Sequence, residues 1–386
     1  YTGGVRIMEL KDIKINLLSE TTERLEDIPD SDYFGDEFKD YVSNSLLKLL
    51  NPDENGSPGR FLEGFKGKES PALELGSAVH QMILEKEKYF LSEVEKPSGK
   101  IGPIIDTAYA IVQVNKGQGV NVELKDVIEL ACTENEYYVN GLTEKRMATV
   151  IEKGQDYFDF LVKKDSDPSI IVLTASMRER LNQCLESVKK NKQFTNLLLP
   201  DTEVFNVKSF NEDVIIMDVL ATIPDKDGMF DEEVRFALKS KIDNWSIDFD
   251  NKVITLNDLK TTSAPIQTFP GRMTKQVTSL QADTEVKFQP GSFQKYHYHR
   301  QMAMYAAMLY GHCKNAYEID DTWTMEVNML VVETVRPYHT QVFKVSEKWL
   351  EYGHAEWIEL LQRLVFHRKH GFDVLLELPA DCTYEI

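Results

Sequence analysis

Cysteine is scarce and scattered. The chain has 4 cysteines, at positions 132, 184, 313 and 382, and no C-x-x-C pair. A zinc ribbon or a clustered iron–sulfur centre therefore has no ligand set. Reduced thiols of an intracellular protein are the expected state. Long apolar runs are missing as well, and without a stretch of about 18 such residues a spanning helix is excluded. The first ten residues lack a basic-then-apolar leader pattern, which argues against secretion, and Met8 reads as a candidate natural start. Positive charge is in the minority: 44 Lys and Arg face 63 Asp and Glu, for a net charge of −19. That balance excludes a protein that coats nucleic acid non-specifically. It leaves room for a local basic track. No repeat of fixed period and no low-complexity tract is present.

What is present suits a folded, soluble chain. The 386 residues are 42% hydrophobic and 28% charged, enough for one elaborated domain or two ordinary ones. Residues 20–40 are acid-rich and read as a solvated arm, which sets a domain boundary near residue 40. Helices are expected at 43–50, capped by Ser43 or Asn44, at 75–90, and at 175–190. Residues 104–165 are helix-rich. From residue 204 the pattern turns to strands, at 204–210, 214–223, 233–242 and 252–259. A helix at 296–310, a strand at 325–332 and a helix at 348–370 complete an α/β layered domain.

The chemistry concentrates in Lys239–Lys260. Strand alternation puts Lys239, Lys241 and Asp243 on one face, opposite Phe236, Leu238 and Ile242. On the next strand Ile254, Leu256, Asp258 and Lys260 share a face, and the intervening turn brings Asp243 beside Asp258. Two neighbouring carboxylates repel unless a cation sits between them. A hard divalent ion with oxygen ligands, Mg²⁺ or Mn²⁺, is the natural solution, with the Leu259 backbone carbonyl as a further ligand. Lys260 is then placed to orient a water or to stabilise charge on a phosphate oxygen. These are the parts of metal-assisted phosphodiester hydrolysis. Gln301 and Tyr305 share one helix face at i, i+4. His297 and His299 read as exposed first-turn histidines.

Asp243 followed by Asp258-Leu259-Lys260-Thr261-Thr262 resembles the core motif of the PD-(D/E)xK nuclease superfamily. Gly76-Ser77-Ala78-Val79-His80 resembles the G-x-x-x-H helix of its RecB-like branch, and Gln301-Met302-Ala303-Met304-Tyr305 that branch's Q-x-x-x-Y motif. The motifs also follow the family order. Tyr41–Ser45, the Pro58 loop and Leu75–His80 are most similar to the RecE-type exonucleases of phages and prophages. The resemblance covers roughly residues 41–100 and 200–370. It implies a PD-(D/E)xK core, a mixed and largely antiparallel sheet flanked by helices, spanning 41–386 with a helical insertion at about 104–165.

The resemblance implies His80 as a metal ligand beside Asp243 and Asp258, and Lys260 as the catalytic lysine. Gln301 and Tyr305 would contact the DNA end or order the site. Glu203 is a further carboxylate candidate, equally readable as an ordinary strand-edge Glu. Lys239, Lys241, Arg272, Lys275 and Lys287 are the candidate DNA contacts; the last three lie in a long segment, 263–293, read as a lid or a surface excursion. The implied activity is a Mg²⁺- or Mn²⁺-dependent exodeoxyribonuclease that hydrolyses linear duplex ends in phage recombination or replication. It would work in the cytoplasm of an infected or prophage-bearing bacterium, with no membrane partner. A processive enzyme of this kind calls for a homo-oligomeric ring or clamp, with a single-strand annealing protein as a partner. The alternatives are a structure-specific endonuclease, a nuclease subunit of a repair complex, and a non-catalytic assembly module on the same fold.

Overall fold

The computed structural model describes residues 10–64, 70–138, 141–164, 169–202, 206–224, 231–277 and 284–372. They form two compact units: residues 1–70 with 188–386, and residues 71–187. In chain order the strands are β1 (Lys14–Leu25), β2 (Phe90–Leu91), β3 (Ile170–Ile171), β4 (Val207–Ile223), β5 (Glu232–Asp248), β6 (Val253–Thr262), β7 (Arg272–Val277), β8 (Thr284–Gln289), β9 (Thr324–Glu333) and β10 (Thr340–Lys344).

The first unit is built on a six-stranded sheet of order β1-β4-β5-β6-β9-β10. Every neighbouring pair is antiparallel except β6 and β9. A parallel pair needs a long crossover, and here it runs through the β7–β8 hairpin and the helix Tyr298–Tyr317. In β4 the alternate residues Ile215, Met217, Val219, Ala221 and Ile223 are all buried, as a period-2 apolar pattern dictates. Met302, Met304 and Met308 of the crossover helix join the same core, with Trp357, Leu361 and Leu364 of the helix Glu347–His370. These two helices approach closely at Gly353, where a Cβ would collide with the His299 carbonyl oxygen.

An amide ladder crosses the sheet, exposed at Asn211 and buried at Asn244, Asn257 and Asn328. Asn244 Nδ2 donates to Asn211 Oδ1 at 2.7 Å, Asn257 Nδ2 to Asn244 Oδ1 at 2.7 Å, and Asn328 Nδ2 to Asn257 Oδ1 at 3.1 Å. Asn257 also donates to the Leu197 carbonyl at the end of the helix Lys192–Leu198. Satisfied polar groups at this depth specify one strand register, because any slip leaves them unpaired. Asn244 and Asn257 adjoin Asp243 and Asp258 in sequence, so the ladder fixes those carboxylates from the opposite sheet face.

Residues 20–40 are not a solvated arm. Residues 14–25 form edge strand β1, paired antiparallel with β4, and Ile13, Tyr33 and Phe38 are buried. These apolar anchors tie down a segment whose average composition is acidic. The expected break at Asn211–Asp213 is likewise absent, because β4 runs through it. The helix beginning at Ser43 forms as Asn44–Lys48, with the Ser43 side chain accepting from the Leu46 N–H.

The second unit is helical and broader than the expected insertion at 104–165. Helices Ile101–Gly117, Leu124–Glu134 and Glu144–Lys164 pack around Ile104, Ile105, Ala108, Ile128, Ala131 and Val150. The helix Pro71–Leu84, which carries His80, belongs to this unit. Among the described residues no helix is long and apolar enough to cross a membrane.

Candidate active site

The β5–β6 register pairs Asn244 with Asn257, and one step further sets Asp243 opposite Asp258. Asp258 is 1% exposed. Its Oδ2 lies 2.6 Å from Lys260 Nζ, the contact expected of two residues on one strand face. Its Oδ1 accepts from Gln301 Nε2 at 3.2 Å. Asp243 Oδ2 accepts from the Leu259 N–H at 2.7 Å. Gln301 in turn hydrogen-bonds Tyr305 one helical turn on. One sheet face and one helix face thus converge on a single polar centre.

The electrostatics follow from burial. Burial pushes the Asp243 carboxyl up, and Lys260, the Leu259 N–H and Lys241 offset this only in part. Burial opposes the Lys260 ammonium, but Asp258 and then Asp243 outweigh it, so the lysine is held protonated. It is a cation here, not a base. Burial drives the Tyr305 phenol well above its usual range, with Asp258 and Asp243 adding to the shift. Tyr305 is therefore a neutral hydrogen-bonding group.

Sequence reasoning missed Glu212. Its place in the β4–β5 register is directly across from Asp243, and its carboxylate oxygen lies within 4.8 Å of that of Asp243. The residue has a positive φ of 54°, a conformation uncommon for a residue with a side chain. The signal was there: Asn211-Glu212-Asp213 is a polar interruption of an apolar strand. It reads as a turn only if the strand stops. Lys241 Nζ answers Glu212 at 2.8 Å and Asp30 at 2.5 Å. Asp243, Asp258 and Glu212 thus set three carboxylates against the ammoniums of Lys260 and Lys241, one of them shared with Asp30. The donors are hard oxygens, a set that suits Mg²⁺ or Mn²⁺.

His80 is half-buried on the Pro71–Leu84 helix of the second unit. Glu203 lies outside the described residues. Lys239 is buried, with Nζ donating to the Tyr33 carbonyl at 2.6 Å and facing the Tyr33 ring at 4.5 Å. With Lys241 committed to two carboxylates, neither side chain is a free surface cation. The cause in both cases is the N-terminal segment, which covers this face of β5. The segment at 263–293 contains a two-stranded hairpin, β7 with β8. It carries Arg272 and Lys287, both exposed, and Lys275. His299 is buried, contrary to the expected exposed pair. Its Nε2 lies 2.7 Å from Glu356 Oε2, and His297 Nδ1 lies 2.7 Å from Glu356 Oε1. Leu259 is fully buried, and its N–H is committed to Asp243.

No family model matches the sequence, and no curated protein matches it. A solved structure described as a "Putative exonuclease" from Eubacterium rectale aligns over 94% of this chain and 96% of that one. The identity is 11% and the TM-score 0.43. A likeness at that level carries no argument about activity, and the functional reading rests on the site itself.

Proposed function

We propose that this chain is a metal-dependent deoxyribonuclease that hydrolyses phosphodiester bonds from duplex ends. One observation carries the reading: Asp258 and Lys260 form an ion pair on the sheet face that also presents Asp243, with Glu212 across from Asp243. Asp243, Asp258 and Glu212 would hold the ion, with the Leu259 carbonyl and His80 as further ligands on the sequence resemblance. A bound Mg²⁺ or Mn²⁺ supplies Lewis-acid polarisation of the phosphate and a nucleophilic water. The protonated Lys260 is suited to hold a phosphate oxygen as negative charge builds on it. Gln301 fixes the Asp258 carboxylate by occupying Oδ1, which leaves that group one orientation. A buried carboxylate pair with a lysine is costly to maintain without chemistry to perform, which favours an active enzyme over an assembly module. Action in phage recombination or replication rests on the resemblance to RecE-type exonucleases.

The test sets end-labelled linear duplex beside covalently closed circular duplex, with Mg²⁺ and with EDTA. Digestion of the linear form, survival of the circle and silence in EDTA are expected. Rapid cutting of the circle replaces this reading with an endonuclease. A protein that binds the metal yet cuts neither DNA is an assembly module.

A further inference from the structure

A cavity of about 460 Å³ opens beside the start of the helices Tyr298–Tyr317 and Glu347–His370. Gln294, His297, His299, Lys348, Trp349 and Tyr352 line it. Four of the six are aromatic rings, three of them gathered about His299. The His299 ring centroid is 5.4 Å from that of His297, 5.3 Å from Trp349 and 5.1 Å from Tyr352. Trp349 and Tyr352 share a helix face at i, i+3. Tyr352 is 59% exposed, a large ring held at the surface next to a space it does not fill.

Two polar groups of this wall are already committed. Gln294 Oε1 accepts from the Gly291 N–H at 3.0 Å, and its Nε2 donates to the Pro270 carbonyl at 2.9 Å. His299 Nε2 is engaged by Glu356, and its Nδ1 is buried. Ring faces remain, with the exposed ammonium of Lys348 beside them. A lining of that kind suits a flat ring joined to an anionic group. Stacking on ring faces is tolerant of base identity, because every base has a π-face.

The segment that carries His297 and His299 also approaches the candidate active site. Lys260 Nζ lies 5.3 Å from the Tyr298 ring centroid. Tyr298 stands 5.7 Å from Tyr296, which is 53% exposed. Within residues 296–299, Tyr298 thus neighbours Lys260 while His297 and His299 line the cavity.

We propose that this cavity binds one unstacked nucleobase of a single DNA strand, without regard to base identity, with Lys348 meeting the adjoining phosphate. The proposal rests on the nuclease reading and names where a strand near the site is held. Stacking, not charge, supplies the affinity, since Glu347 and Glu351 flank Lys348 and are exposed. The slope of log affinity against log salt should therefore be shallow, about 0.7 for a single neutralised phosphate on a single strand.

Fluorescence anisotropy of short labelled oligonucleotides in EDTA, where no cleavage occurs, tests this. Wild type should bind oligothymidylate, oligoadenylate and oligocytidylate within about tenfold of one another. Tyr352→Ala should weaken binding by about 5- to 100-fold, the value of one stacked base, and Tyr352→Phe should restore it. Tyr352 is exposed, so the substitution should leave the melting temperature unchanged. Equal binding by wild type and Tyr352→Ala, or no binding by wild type, overturns the proposal. Cleavage of linear duplex in Mg²⁺ is followed in parallel. Retained cleavage with Tyr352-independent binding removes the cavity and keeps the nuclease. Tyr352-dependent binding with no cleavage in any metal keeps the cavity and removes the nuclease.

Discussion

Two clusters of buried charge meet the helix Tyr298–Tyr317, and they are built on opposite principles. At its start, Glu356 has four partners: Asn51 Nδ2 at 2.8 Å, Arg300 at 2.7 Å, and His297 and His299 at 2.7 Å each. Arg300 also meets Glu54 at 2.7 Å and donates to Asn44 Oδ1 at 2.9 Å. Burial raises the Glu356 carboxyl, but its histidine and arginine partners outweigh that and hold it well below the usual carboxylate range. At the sheet, Asp243, Asp258 and Glu212 outnumber their lysines, and Asp243 is pushed up instead. The first cluster is closed and does architectural work, joining both long helices to the segment around residues 44–54. The second gathers three carboxylates about Lys260 and Lys241. Residue type alone does not separate them, since the first also offers three metal-ligand side chains within 4.8 Å. What separates them is the direction in which their surroundings push a carboxyl: Glu356 down and Asp243 up.

That contrast can be broken by substitution, and the largest effect should come from the closed cluster. Arg300→Ala leaves Glu54 and Glu356 uncompensated, and loss of one partner of a buried ion pair costs about 3–5 kcal/mol. Chemical denaturation should show that loss. A change under about 1 kcal/mol would mean that the cluster does not hold the helices. At the open cluster the expected loss is in rate. Lys260→Ala and Asp258→Asn should each lower cleavage on the order of 100-fold or more. Near-wild-type turnover in either variant would contradict the assignment.

Smaller effects sharpen the comparison. Glu212→Gln should raise the Mn²⁺ concentration needed for half-maximal cleavage by about tenfold, the scale of a supporting residue at a metal site. An unchanged titration would reduce Glu212 to a partner of Lys241. The mildest effect belongs to the β7–β8 hairpin. Arg272→Glu should weaken duplex binding and lower the salt slope by about one, as loss of one phosphate contact does, with metal affinity unaltered. Wild-type binding at every salt concentration would place the hairpin off the DNA path.

Much of this geometry was legible from alternation. Asp258 and Lys260 share a strand face in any β-strand, and the turn at 249–252 sets Asp243 across from Asp258. The Gln301–Asp258 bond follows from a helix laid on that sheet face. Other features depend on information that a local pattern does not carry. Lys239 alternates onto a polar face, but whether that face meets water depends on Tyr33 and Phe38, some two hundred residues away in sequence. Strand β1 has one buried residue, Thr22, in its length, so its sequence shows no apolar period, and its place is set by pairing with β4. Glu212 was hidden because a polar triplet inside an apolar run looks like a turn, whereas backbone pairing carries the strand through it. His297 and His299 read as exposed because their burial comes from Glu356, Trp349 and Tyr352 on a helix fifty residues later.

The most direct test of the central claim is a calorimetric Mn²⁺ titration of three proteins: wild type, the Asp243→Asn/Asp258→Asn double variant, and Glu356→Gln. The account predicts binding by wild type, loss of binding in the double variant, and unchanged binding in Glu356→Gln. Binding that survives the double variant, or that disappears with Glu356→Gln, would place the ion at the other cluster and contradict the account.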